Sequence, residues 1–186
     1  NNSQHVANLL WAYATMGIVE KQLLSSFVPT AAKLIDSYNN QGLANIAWSY
    51  SVSNVVDPRY LIGVHRYSLL DKEHDFIDAE LRQLYQWQLW QLELGSMMKL
   101  PSSLRQRCYE AFVFARVRPS GFQDDVVDVL TSIGLRPQEE VIMPSGYRMD
   151  ACVMVKGENI GVEVDGPFHF TGCLPNGHTI LKRRQV

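Results

Sequence analysis

Apolar residues in the first two thirds of the chain recur three and four positions apart, the period of helices that bury one side. Val6, Leu9, Leu10 and Tyr13 form one such stripe, with small Ala7 and Ala14 beside it to permit close helix contact. Leu23, Leu24, Phe27, Ala31, Leu34 and Ile35 form a second, predicting a helix from about Glu20 to Tyr38 that Pro29 should kink or break. Asp57-Pro58 marks a turn and Tyr60 to Leu70 a further helix. Asp75 to Leu94 is a stronger one, carrying Phe76, Leu81, Leu84, Trp87 and Leu92 and stopping at Gly95. A short helix starts at Pro101-Ser102-Ser103 and runs through Leu104, Cys108, Ala111 and Phe112, and Pro119-Ser120-Gly121 reads as a linker.

Beyond the linker the period changes. Asp124 to Ile133 is still helical, with Val126, Val127, Leu130 and Ile133 on one side and Gly134 as the stop. Glu140 to Met143 reads as a strand, Pro144-Ser145-Gly146 as a turn, and Tyr147 to Val155 and Ile160 to Asp165 alternate with period two. Leu174-Pro175-Asn176-Gly177 turns again before a last, cut-short helix from Thr179 to Val186. The expected architecture is an α helical-repeat region over 1–118, followed by a small α/β domain over 122–186.

The helical part contains an internal repeat. Asn2, Gln4, Ala7, Asn8, Trp11 and Tyr13 recur as Asn39, Gln41, Ala44, Asn45, Trp48 and Tyr50, 37 residues on, and Trp87 suggests a degenerate third unit. About three helix pairs are expected, with more toward the N-terminus of a longer protein, because solenoids need several units. Trp11, Trp48, Tyr13 and Tyr50 read as inter-helix core in preference to base-stacking platforms, whereas Gln4, Asn8, Gln41 and Asn45 read as outward-facing.

The hairpin carries the candidate chemistry. With Gly157 and Glu158 as a type II′ turn, Asp150 faces Asp165 and Cys152 faces Glu163. Asp150, Glu163 and Asp165 then share one face, while Met149, Ala151, Val153, Val155, Val162 and Val164 form a dry one. Clustered carboxylates need a proton, a cation or solvent. Mg²⁺ bound by all three could activate water against a phosphodiester; Arg148, Lys182 or Arg183 could neutralise them instead. His169 follows Gly166-Pro167 within reach, as a structural hydrogen-bonder or a base.

Composition limits the partners. The chain is 46% hydrophobic and 19% charged, with a net charge of −2 and a pI near 6.2, so any nucleic-acid contact must come from local patches. Lys182-Arg183-Arg184, helped by Arg148, is the best phosphate patch. Cys108, Cys152 and Cys173 have neither disulfide nor zinc spacing. No apolar run approaches the roughly 18 residues of a membrane span, and neither a membrane nor a small-molecule substrate is expected.

Glu163-Val164-Asp165-Gly166-Pro167-Phe168-His169-Phe170, preceded by Gly146-Tyr147-Arg148-Met149-Asp150 and followed by Leu181-Lys182-Arg183-Arg184, resembles the RAP domain, the RNA-binding domain abundant in apicomplexans. Leu84 to Leu89 and Leu100-Pro101 resemble the segment that often precedes it. The resemblance implies a fold related to the PD-(D/E)XK and very-short-patch-repair endonucleases. Asp150 and Glu163 would be its two carboxylates, and Mg²⁺ its metal. The chain departs from the nuclease pattern at the lysine, where Asp165 stands, unless Lys182 replaces it. The implied catalytic set is Asp150, Glu163, Asp165 and Lys182; the implied RNA contacts are Arg148, His169, Lys182, Arg183 and Arg184.

The repeats resemble octotricopeptide units and those of FAST-kinase-domain-containing proteins. Together these likenesses imply an organellar RNA-binding protein, mitochondrial first and plastid second. Its role would be RNA processing, stability or translation, on mRNA or on rRNA as a component of a mitochondrial ribosome. The rivals are a metal-dependent endoribonuclease and a scaffold that binds ribosomal or other ribonucleoprotein proteins. The missing lysine favours recognition over cleavage.

Overall fold

The computed structural model describes residues 2–55, 75–116 and 120–186. The turn expected at Asp57-Pro58, the helix expected over Tyr60 to Leu70, and Pro119 lie outside the described residues. Helix α1 (Asn2–Thr15) buries Ser3, Ala7, Leu10 and Ala14, the three- and four-residue spacing of one helical face. Helix α2 (Lys21–Lys33) tolerates Pro29 but stops four residues past it. A 3₁₀ turn (Ile35–Ser37) replaces the tail expected to run through Tyr38. Asn39 starts α3 (Asn40–Ser53) by accepting the Gly42 N–H at 2.9 Å, and Asn54 ends it in the left-handed region at φ 48. Helices α4 (Asp78–Glu93) and α5 (Ser102–Val113) follow.

The repeat period becomes geometry when α1, α3 and α4 pack side by side, with α5 against α4. Helix α3 is enclosed by neighbours and is buried almost all round. Its serines fit there because Ser49, Ser51 and Ser53 donate to the carbonyls four residues back, at 2.6, 2.8 and 2.7 Å. Trp48 and Tyr50 are fully buried, as core packing requires, whereas Trp11 is 39% exposed. Asn45, expected to face outward, is buried.

After α6 (Gly121–Ser132), strands β1 (Gln138–Ile142), β2 (Arg148–Val155) and β3 (Glu158–Val162) form an antiparallel sheet in that order. The chain is therefore mostly helical with a small C-terminal antiparallel sheet. The turn differs from expectation. Lys156 (φ 53) and Gly157 (φ 88) are its central pair, both left-handed as a type I′ turn demands, so Cys152 pairs with Gly161 instead of Glu163. This slip moves β3 by two residues and so keeps the faces intact: Met149, Ala151 and Val153 remain on the buried side. The ladder also ends early, at Val162 against Ala151. A small hairpin, β4 (Phe170–Thr171) with β5 (Leu174–Pro175), leads to α7 (Gly177–Gln185), which Asn176 caps by accepting the Thr179 N–H at 3.0 Å.

Helix α7 seats the C-terminal elements on the stack. Gly177 lies so close to the end of α1 that a Cβ there would stand 2.0 Å from the Ala14 carbonyl oxygen. Leu181 completes a small core with Ala14, Trp48 and Val52. The Arg184 guanidinium is engaged by the Ser51 and Val52 carbonyls at the end of α3 and by Glu93 at the end of α4. A buried polar chain crosses the same seam. Trp48 Nε1 donates to Gln86 Oε1 (2.9 Å), Gln86 Nε2 to Tyr147 Oη (2.7 Å), and Tyr147 Oη to Gln185 Oε1 (3.0 Å), while Gln185 Nε2 returns to the Gln86 carbonyl (3.0 Å). Gln86→Leu would strand the Trp48 and Tyr147 donor and acceptor in an apolar seam. Its expected cost is about 1–3 kcal/mol, read as a lower midpoint in chemical denaturation.

Candidate functional site

Where β3 stops, the second strand of the expected hairpin continues as a loop held by side chains. Asp150, on β2, accepts the Val164 N–H at 2.7 Å through Oδ2, taking the place of the lost ladder bond. This brings Glu163 beside Asp150, and the outer side of α7 supplies a lysine between them. Lys182 Nζ lies 2.6 Å from Glu163 Oε2 and 3.9 Å from Asp150 Oδ1. Asp165 turns elsewhere: its Oδ1 is 2.9 Å from His169 Nδ1, around the Gly166-Pro167 bend, and its Oδ2 is 2.5 Å from Arg183 Nη2.

The expected triple-carboxylate metal set is thus split in two, each half already facing a cation. Among the described residues no group of three or more His, Cys, Asp or Glu is arranged to hold a metal ion. The reason is α7, whose Lys182 and Arg183 occupy the space between the acids. Arg148 does not neutralise them; its Nη2 donates to the Val113 carbonyl at 2.9 Å. Arg184, counted with the basic tail, points its hydrogen bonds into the seam with α3 and α4 and is structural there.

Burial raises the Glu163 carboxyl above its ordinary value. The Lys182 hydrogen bond and charge oppose that rise without cancelling it, and the neighbouring Asp150 and Asp165 charges add to it. The second oxygen, Oε1, is buried without a hydrogen-bond partner. Such an acid is costly to ionise, and the half-buried Lys182 beside it lowers that cost.

A groove of about 830 Å³ opens next to this cluster, between the end of α5, the start of α6 and the Gly166–His169 bend. Asp150, Lys182, His169 and Arg148 line it, joined by Arg116, Phe122 and Phe168, which the sequence reading missed. Phe168 is 94% exposed and Phe122 53%. Phe168 had a signal, since it stands in the quoted Gly-Pro-Phe-His motif. Arg116 had none, because only the fold brings it to the groove. Gln123, at the start of α6, ties that helix to the sheet through Glu140 (2.9 Å) and the Asp150 carbonyl (3.3 Å).

No protein-family model matches the chain, and no solved structure matches it. A chloroplastic RAP domain-containing protein of Oryza sativa subsp. japonica is 37% identical over 75 residues, a stretch covering 39% of this chain. The matched stretch spans only 11% of that relative.

The Glu163 environment predicts a pH signature. A carboxyl whose folded-state value is raised contributes most to stability below the ordinary 4.5, and loses that contribution as pH rises through the folded value. Glu163→Gln removes the loss. The thermal midpoint of the variant relative to wild type should therefore be more favourable at pH 7 than at pH 4. A difference independent of pH would refute a raised Glu163.

Proposed function

We propose that the chain is an organellar RNA-binding protein, with a helical-repeat region over 1–118 and a RAP domain over 122–186, and that the groove beside Lys182 holds single-stranded RNA. The observation that carries this reading is Phe168, almost fully exposed on the bend at a groove that Arg116, Arg148 and Lys182 also line. An exposed aromatic gives a base a face to stack on, and surrounding cations meet the phosphates. Arg183, half exposed on the same helix, extends the patch. The relative named RAP domain-containing supports RNA as the ligand, and its chloroplastic label favours a plastid over the mitochondrion. The role would be in RNA processing, stability or translation, on mRNA or rRNA and alongside ribonucleoprotein proteins.

A second reading, an endoribonuclease on a PD-(D/E)XK-like fold, gains support from one contact. Lys182 reaches Glu163 and Asp150 from α7, in the place where the sequence motif lacks its lysine. Asp150 and Glu163 are the residues that would hold Mg²⁺. Two carboxylates suit an ion that also takes substrate phosphates and water. The metal would supply Lewis-acid chemistry. Lys182 would bridge the two carboxylates and carry positive charge at the site.

Two measurements separate these readings. Phe168→Ala should weaken single-stranded RNA binding by about 1–3 kcal/mol, and Arg116→Ala should lower the salt slope of log affinity by about one. Unchanged affinity and slope in both variants would remove the groove from RNA binding. For cleavage, wild type is compared with Asp150→Ala, Glu163→Ala and Lys182→Ala on RNA with Mg²⁺. Cleavage by wild type alone would establish the nuclease, and equal activity in all four would sink it.

A further inference from the structure

The stacked helices form a second groove, of about 990 Å³, lined by Asn8, Trp11, Gln41, Asn45, Arg82 and Gln83. Its amides come from three helices, among them Asn8 on α1, Asn45 on α3 and Gln83 on α4, spaced 37 and 38 residues apart. The repeat thus brings amides from all three helices into the same groove, with Gln41 and Gln86 beside them. Gln83 Nε2 donates to Asn45 Oδ1 at 3.2 Å. That bond orients both groups, leaving Asn45 its NH₂ donors and Gln83 its carbonyl acceptor. An acceptor beside a donor is the complement of the adenine edge, which offers the N6 amino group as donor and N7 as acceptor. Trp11, 39% exposed, supplies a stacking face, and Arg82 a cation. The one acid of the groove wall, Glu80, accepts the Ile77 N–H at 3.0 Å at the start of its own helix. Phe112 lines both this groove and the one beside Lys182, so one strand could pass between them.

We propose that this groove reads adenine in single-stranded RNA, giving base preference to a chain whose C-terminal groove contributes salt-dependent affinity. The inference rests on the RNA-binding reading above. The amides discriminate the base, Trp11 stacks on it, and Arg82 meets a phosphate.

The test is fluorescence anisotropy of the 186-residue chain with single-stranded oligo(A), oligo(C) and oligo(U) RNA. Oligo(A) should bind about tenfold more tightly than the others, within the discrimination of one bidentate amide contact. Trp11→Ala should weaken oligo(A) by a similar factor, and Gln83→Leu should erase the preference for oligo(A) over oligo(C) and oligo(U). Asn8→Ala, at an exposed position, serves as the second variant if Gln83→Leu lowers the unfolding midpoint. RNA binding without base preference, or variants that keep the wild-type preference, would overturn the adenine site and leave the C-terminal groove standing; a groove serving a protein partner would give that result. Absence of any RNA binding would overturn both readings together.

Discussion

The seating of α7 against the helical stack is the constraint on which the candidate site depends. A nine-residue helix has little core of its own, yet this one is fixed from behind by a glycine, a leucine, an arginine and a glutamine. The Gly177 approach sets how close it lies, and Leu181 excludes water. Arg184 meets the Ser51 and Val52 carbonyls in the last turn of α3. With that side committed, helical geometry sends Lys182 and Arg183 the other way, toward the acids. The charge balance of the site is therefore set by packing more than ten residues of chain away from the carboxylates.

The acids in turn shape the backbone around them. Asp150 takes over a main-chain donor that a longer β3 would have paired, so the strand can end at Val162 without leaving Val164 unsatisfied. The loop so released turns at Gly166-Pro167 and sets Phe168 out into solvent, while the His169 carbonyl is held by Asn176 N–H at 2.9 Å and Thr179 Oγ1 at 3.0 Å. One short stretch thus contributes a part-buried acid, a paired acid and an exposed aromatic within six residues. A part-buried acid beside a lysine suits charge control at a phosphate. An exposed phenylalanine suits a base.

Recognition and cleavage place different demands on this geometry. Recognition needs cations and aromatics on an accessible wall, and Arg116, Phe122 and Phe168 meet that demand. Cleavage needs Asp150 and Glu163 to leave Lys182 partly and share a metal. The short Lys182–Glu163 contact opposes that move, so ion binding would have to exchange one cation for another. The second groove on the helical stack makes no such demand. Its amides are already oriented by their own hydrogen bond.

Period and motif alone determined the helical stack, the change to strands near residue 138, and the buried face of Met149, Ala151 and Val153, because side-chain alternation survives a two-residue slip in register. The Trp and Tyr repeat likewise announced its own core at Trp48 and Tyr50, whereas Trp11 is part exposed. Three things were beyond the sequence. The turn register depends on Lys156 accepting a left-handed conformation, which lysine does not advertise. The fates of Lys182, Arg183 and Arg184, adjacent and chemically alike, diverge because successive helical residues point about 100° apart and meet Glu163, Asp165 and the end of α3 respectively. Arg116, past the end of α5, and Phe122, at the start of α6, reach one groove, a proximity that exists only once the chain has packed.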